Sequence, residues 1–205
     1  MSFDFDTGST GSEGPWIAWS ARGTQDGTVP PKTFYLREEG GTKTPLDAFD
    51  KGVVFDIDAM KTGWQKSEGI AGVAPEWQWG SSPAHLPPQP GEDYKKGFSI
   101  PVAVSKTATA TWEQAGAAAW NALVGLAPAL RERPSTGVLP MVRITGTKAV
   151  QFKRGSTVEP ILEVVKWVPR PDCLTAGFEM ADEPAPAPKA APKPAPVAEP
   201  EDAPW

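Results

Sequence analysis

At 205 residues and 40% hydrophobic content, the chain holds enough apolar material for one sizeable core, with two ends too biased in composition to join it. Net charge is −5, and since Met1 to Gly14 and Asp182 to Trp205 each carry −3, the body from Pro15 to Ala181 is left at +1; acidic ends on a slightly basic body suit an anionic ligand. Cys173 is the only cysteine and His85 the only histidine, which excludes an intrachain disulfide framework, a Cys/His zinc cluster and a paired-thiol redox motif.

Met1 to Gly14 is polar and glycine-rich and reads as a mobile end. Pro15 to Arg37 gives two short apolar segments around a loop containing Gly23, Gly27 and Pro30-Pro31, the pattern of a hairpin; Trp16 and Trp19 fit either packing or, with Arg22, ligand contact. Gly52 to Trp64 alternates as a strand that sets Asp56 and Asp58 on one face. Two carboxylates so spaced could serve a metal or acid–base role, but no third acid, histidine or calcium-loop glycine accompanies them, and acids on the wet face of a strand are common. No metal site is expected.

Gly69 to Gly91 reads as loop, rich in proline and glycine, and within it Trp77 and Trp79 stand two apart. In extended chain they point to the same side, as a base-stacking platform requires; carbohydrate would use the same platform. Lys95 and Lys96 follow at the start of a strand, Tyr94 to Val104, whose Pro101 implies an edge or a bulge. Thr111 to Arg133 reads as the one helix. Thr111 with Gln114 fits a capping box, Trp112, Ala119, Leu123, Leu126 and Leu130 recur at helical spacing, and Pro128 should kink or end it.

Val138 to Pro169 is the most regular stretch. Val142 and Ile144 alternate with Arg143 and Thr145, Ile161 to Val168 is a second β-rich run, and Lys153 to Ser156 supplies the turn of a ribbon between them. Arg143, Lys148, Lys153, Arg154 and Lys166 mix with Phe152 and Trp167, a combination that can hold phosphates by charge and bases by ring faces. The same residues also fit a half-buried ribbon whose lysines solvate its outer side.

From Asp182 proline and alanine dominate, a composition that cannot build a core and should be extended and disordered. It ends in Glu199, Glu201, Asp202, Pro204 and Trp205, acids and an aromatic on a tether, a pattern suited to docking on a partner. This β-rich body with a Pro/Ala-rich linker and an acidic, aromatic tip resembles single-stranded DNA-binding proteins, in a phage-encoded version with long insertions between strands. The tip here ends in tryptophan where that family usually has phenylalanine. The resemblance implies an OB-fold that holds the strand with aromatic and basic residues, and a tip that recruits replication, recombination and repair proteins.

No phosphate-binding GxxxxGK[ST] loop, GxSxG elbow, HExxH pair or CxxC is present, so no enzymatic activity and no cofactor are expected. Nor is there a charged start followed by an apolar segment, or an apolar run of about 18 residues, so no signal peptide or membrane span is expected and the protein reads as cytoplasmic, in the host cytoplasm if phage-encoded. The expectation is a mainly β domain over residues 15–181: an OB-like antiparallel barrel of five to six strands, a capping helix at Thr111 to Ala127, and long loops. Its DNA-binding candidates are Trp77, Trp79, Lys95, Lys96, Arg143, Lys148, Phe152, Lys153, Arg154 and Trp167. The rival expectation is a non-enzymatic phage or surface module that uses exposed tryptophans on carbohydrate or protein; oligomeric state is open.

Overall fold

A computed structural model describes residues 14–38, 40–68, 74–83, 85–152 and 155–175. The N-terminal end and the Pro/Ala-rich tail lie outside them. Within them the chain is mainly β, a curled open sheet with few helices. The first hairpin forms as its sequence implies, β1 (Trp16–Ser20) pairing antiparallel with β2 (Thr33–Arg37), and a short β3 (Lys43–Pro45) extends it. A one-turn helix, α1 (Ala48–Lys51), then brings Phe49 into the core.

Gly52 to Trp64 is not one strand. It forms β4 (Val53–Phe55) and β5 (Lys61–Lys66), separated by a turn. The buried Asp56 carboxylate causes the break by accepting the amide N–H groups of Asp58 at 3.2 Å and Ala59 at 3.3 Å, a side-chain alternative to ladder bonding. After it comes β6 (Glu76–Trp79), in a stretch expected to be loop. The central strand β7 (Lys95–Ala103) pairs along one side with β8 (Thr109–Ala115). Along its other side it pairs with β5 through Lys95 to Ser99 and with β4 through Val102 and Ala103. Pro101 falls at the gap: its carbonyl accepts Asp56 N–H at 2.8 Å, so its missing N–H faces the place where the neighbouring chain turns away. The proline therefore marks an interruption within a central strand.

The largest departure from expectation is at Thr111. Thr111 to Gln114 lies in β8, and the helix α2 (Ala117–Arg131) starts only after Gly116, whose φ of +113° turns the chain out of the sheet. Gln114 caps nothing. Its side chain brackets β1, Oε1 accepting Trp19 N–H at 2.8 Å and Nε2 donating to Trp19 O at 3.2 Å, while Oε1 also accepts Trp112 Nε1 at 3.1 Å. Trp112, at 0% exposure, is the hub of the core: Phe98 meets it edge-on at 4.8 Å, and Phe34, Phe49 and Phe55 surround it. Pro128 sits in the last turn of α2, and the helix continues past it to Arg131.

The strands β9 (Val138–Phe152) and β10 (Gly155–Pro169) make the expected ribbon, Val142 buried and Arg143 exposed, and only its base joins the rest of the sheet through β4. Two register shifts bend it. Its outer strand returns toward β1, where Trp19 Nε1 donates to Val158 O at 2.9 Å and Arg22 Nη2 donates to Ser156 O at 2.6 Å, and α2 packs against β10, β7 and β8. Among the described residues the sheet holds ten strands, more than the five to six expected, and it is antiparallel except where β1 runs parallel to β8.

A short helix, α3 (Asp172–Thr175), ends the described chain, and a charged clamp holds its approach. Arg170 bonds the buried Asp56 through two nitrogens, one bond being 2.9 Å, and reaches Asp58 at 2.9 Å; Arg133 grips both Asp58 oxygens at 2.6 and 3.0 Å. The two aspartates are thus consumed in fixing the 56–60 turn to the segments after α2 and β10. Removing Arg170 strands a buried carboxylate, so Arg170→Ala should lower unfolding free energy by about 3 kcal/mol in denaturant titration at neutral pH. A loss below about 1 kcal/mol would mean that the clamp is not structural. Bonding to Arg133 holds the Asp58 carboxyl below its ordinary value, with Arg170 adding to it and burial opposing. A depressed acid stabilises the fold above its unfolded pKa, about 3.9, and that contribution should disappear as pH falls through the folded value.

Candidate nucleic-acid interface

Antiparallel register places directly opposed residues on one face of a sheet, and three rows of this kind cross β6, β5, β7 and β8. Trp79, Gly63, Gly97 and Ala115 form the first, Trp77, Gln65 and Lys95 the second, and Lys61, Ser99 and Glu113 the third. The alternate residues of β7 and β8, Phe98, Ile100, Trp112 and Val102, fill the core. Trp77 and Trp79 therefore lie on the outer face of the sheet, away from the core.

The two indoles stack on each other, ring centroids 4.2 Å apart and planes within 10°. Each spends one face on its neighbour, so the pair offers one continuous aromatic surface instead of two separate platforms. Both are half-buried because they rest on glycine. A Cβ at Gly97 would stand 2.7 Å from the Trp77 ring, and one at Gly63 would stand 3.0 Å from the Trp79 ring. The indole N–H of Trp77 is buried and has no hydrogen-bond partner among the described residues. Those of Trp19, Trp64 and Trp112 are bonded to Val158 O, Pro87 O and Gln114 Oε1. An unsatisfied buried donor costs about 1–3 kcal/mol, more than the roughly 0.5–1.5 kcal/mol an aromatic pair returns beyond its buried area.

Lys95 and Lys96 part company. Lys95 sits in the Trp77 row, whereas Lys96 projects from the opposite face, its ammonium 5.7 Å from the Trp64 ring and 5.9 Å from that of Trp120 on α2. That geometry is a cation held by two indoles. Lys61 and Lys95 make no ion pair among the described residues. On the reverse side of β6, Glu76 accepts the Tyr94 hydroxyl at 2.6 Å and Lys66 pairs with Asp93 at 2.8 Å, which braces the strand that carries the tryptophans.

The remaining candidates sit on a different branch. Arg143 pairs across the ribbon with Glu163 at 3.4 Å and Lys148 with Glu159 at 3.8 Å, so these cations help set register. The exposed Arg143–Glu163 pair is worth at most about 1 kcal/mol and a phosphate can compete for it, whereas Glu159 is buried and also accepts Asn121 Nδ2–H at 2.9 Å. Phe152 is 39% exposed at the far end of the ribbon, and Trp167 is half-buried opposite Pro140 near its base. Lys153, Arg154, Glu199, Glu201, Asp202, Pro204 and Trp205 lie outside the described residues. Gly63, Gln65, Lys61 and Gly97 were not singled out from sequence; an isolated glycine within a strand pattern was the available sign of close approach.

Among the described residues no cluster of three or more His, Cys, Asp or Glu side chains is grouped to hold a metal ion, and no helix is long and apolar enough to cross a membrane. A Cβ at Gly97 would also stand 2.8 Å from Ala115 Cβ, so Gly97→Ala should lift Trp77 off the sheet with a local shift between β7 and β8. The exciton couplet that two parallel indoles give in far-ultraviolet circular dichroism should weaken or vanish; an unchanged couplet would show that the ring does not rest on this glycine. Comparison of the chain with protein-family models, with curated proteins and with solved structures finds no match.

Proposed function

We propose that this protein binds single-stranded DNA without sequence preference, as a non-enzymatic component of phage DNA replication, recombination or repair in the host cytoplasm. The observation that carries the reading is the stacked Trp77–Trp79 pair on an outer sheet face beside Lys95 and Lys61, cations with no ion pair among the described residues. Rings give sequence-tolerant stacking worth about 1–3 kcal/mol per base, and unpaired lysines give phosphate attraction in a body of low net charge. The partly open curl, with α2 against the returning ribbon, suits the finer reading of an OB-type barrel. Phe152, exposed at the far end of the ribbon with Lys153 and Arg154 following it in sequence, gives a second contact on the other branch. The tip with Glu199, Glu201, Asp202, Pro204 and Trp205 recruits partner proteins, its acids suited to a basic pocket and its indole to an apolar floor.

A surface module for carbohydrate or protein is the second reading, favoured by Gln65, an amide set between Trp77 and Lys95 that suits sugar hydroxyls. Titration with oligo-dT at two salt concentrations separates the two. DNA binding should weaken as salt rises, Trp77→Ala should cost at least about tenfold in Kd, and Lys95→Glu should cost more than Lys96→Glu because only Lys95 shares the face of the tryptophans. No binding, or binding indifferent to salt, would contradict the proposal.

A further inference from the structure

Four tryptophan indole nitrogens in the body bear on this point. Three are bonded inside the protein, to Val158 O, Pro87 O and Gln114 Oε1, and they belong to rings that are at most 6% exposed. The fourth, that of Trp77, is buried without a partner among the described residues although its ring is only half-buried and lies on the outer face. Buried donors in folded proteins are almost always satisfied, so an orphan at a surface aromatic calls for an explanation. The same residue is stacked face to face on Trp79, and its row across the sheet ends on Lys95, whose ammonium makes no ion pair among the described residues.

We infer that the stacked Trp77–Trp79 pair is the unliganded form of a nucleotide subsite, which opens when single-stranded DNA arrives so that a base takes the place of Trp79 against the Trp77 ring and Trp77 Nε1–H donates to a phosphate oxygen. This rests on the DNA-binding reading above and assigns the roles within it. One ring contact is exchanged for another, so the exchange costs little stacking. What is gained is a partner for the orphaned N–H. Lys95 at the end of the row places positive charge where that phosphate is to sit, which selects a phosphate oxygen over a base carbonyl as the acceptor. Gly63 and Gly97 make the motion possible, since no side chain beneath the rings has to move with them.

The experiment follows the indole exciton couplet of the full chain by circular dichroism during titration with oligo-dT, alongside affinities of Trp77→Phe and Trp79→Phe. Thymine oligomers bind, the couplet collapses in proportion to occupancy, and Trp77→Phe weakens binding about tenfold because phenylalanine cannot donate, while Trp79→Phe changes it less than about threefold. Binding with the couplet intact overturns the opening. A collapsed couplet with equal losses for the two variants overturns the role of the Trp77 N–H. Absence of any binding overturns the DNA reading itself, and the subsite with it.

Discussion

The sheet depends on a single interruption along one side of β7. Asp56 draws the following amides onto its carboxylate, the chain leaves the ladder for five residues, and Pro101 occupies the one position on β7 where a missing N–H is harmless. Two branches result. One runs through β4 to the β9–β10 ribbon, the other through β5 to β6 and its tryptophans. The Arg170 and Arg133 contacts to Asp56 and Asp58 fix this fork, since they bind the turn to segments far along the chain. Carboxylates that look available in sequence are thereby spent on architecture.

The two branches bear different chemistry. On the ribbon Arg143 and Lys148 have glutamates opposite them, while Lys166 lies opposite Met141; the β5–β6–β7 face brings Lys61 and Lys95, which make no ion pair among the described residues, beside an aromatic surface laid flat on glycine. Placing rings and unpaired charge together is what a ligand of alternating flat and anionic groups requires. The division also explains how a body of net charge near zero can hold a polyanion: local pairing, and not the total, decides which charges are available.

Local periodicity was enough for the ribbon, the first hairpin and the Tyr94 strand, because in each a buried face imposes alternation. It failed at Thr111 to Gln114. There TATWEQA carries apolar residues at a spacing that either period accommodates, and the deciding interactions, Gln114 with Trp19 and Trp112 with four phenylalanines, join residues far apart in sequence. The tryptophan pair was legible as a same-side motif. Its self-stacking, its glycine floor and the separation of Lys95 from Lys96 were not, since all three follow from cross-strand register, which no short stretch encodes. Asp56 and Asp58 show the same limit, because their arginine partners lie 75 or more residues away.

The central claim is that the outer face of β5, β6 and β7 holds the DNA strand. The most direct measurement is photocrosslinking of an oligonucleotide carrying 5-iodouracil to the full chain, with the modified residue located by mass spectrometry. The account predicts attachment at Trp77 or Trp79, each lost when that tryptophan is itself replaced by alanine. Crosslinks confined to the β9–β10 ribbon, or to Trp64 and Trp120 around Lys96 on the opposite face, would contradict it.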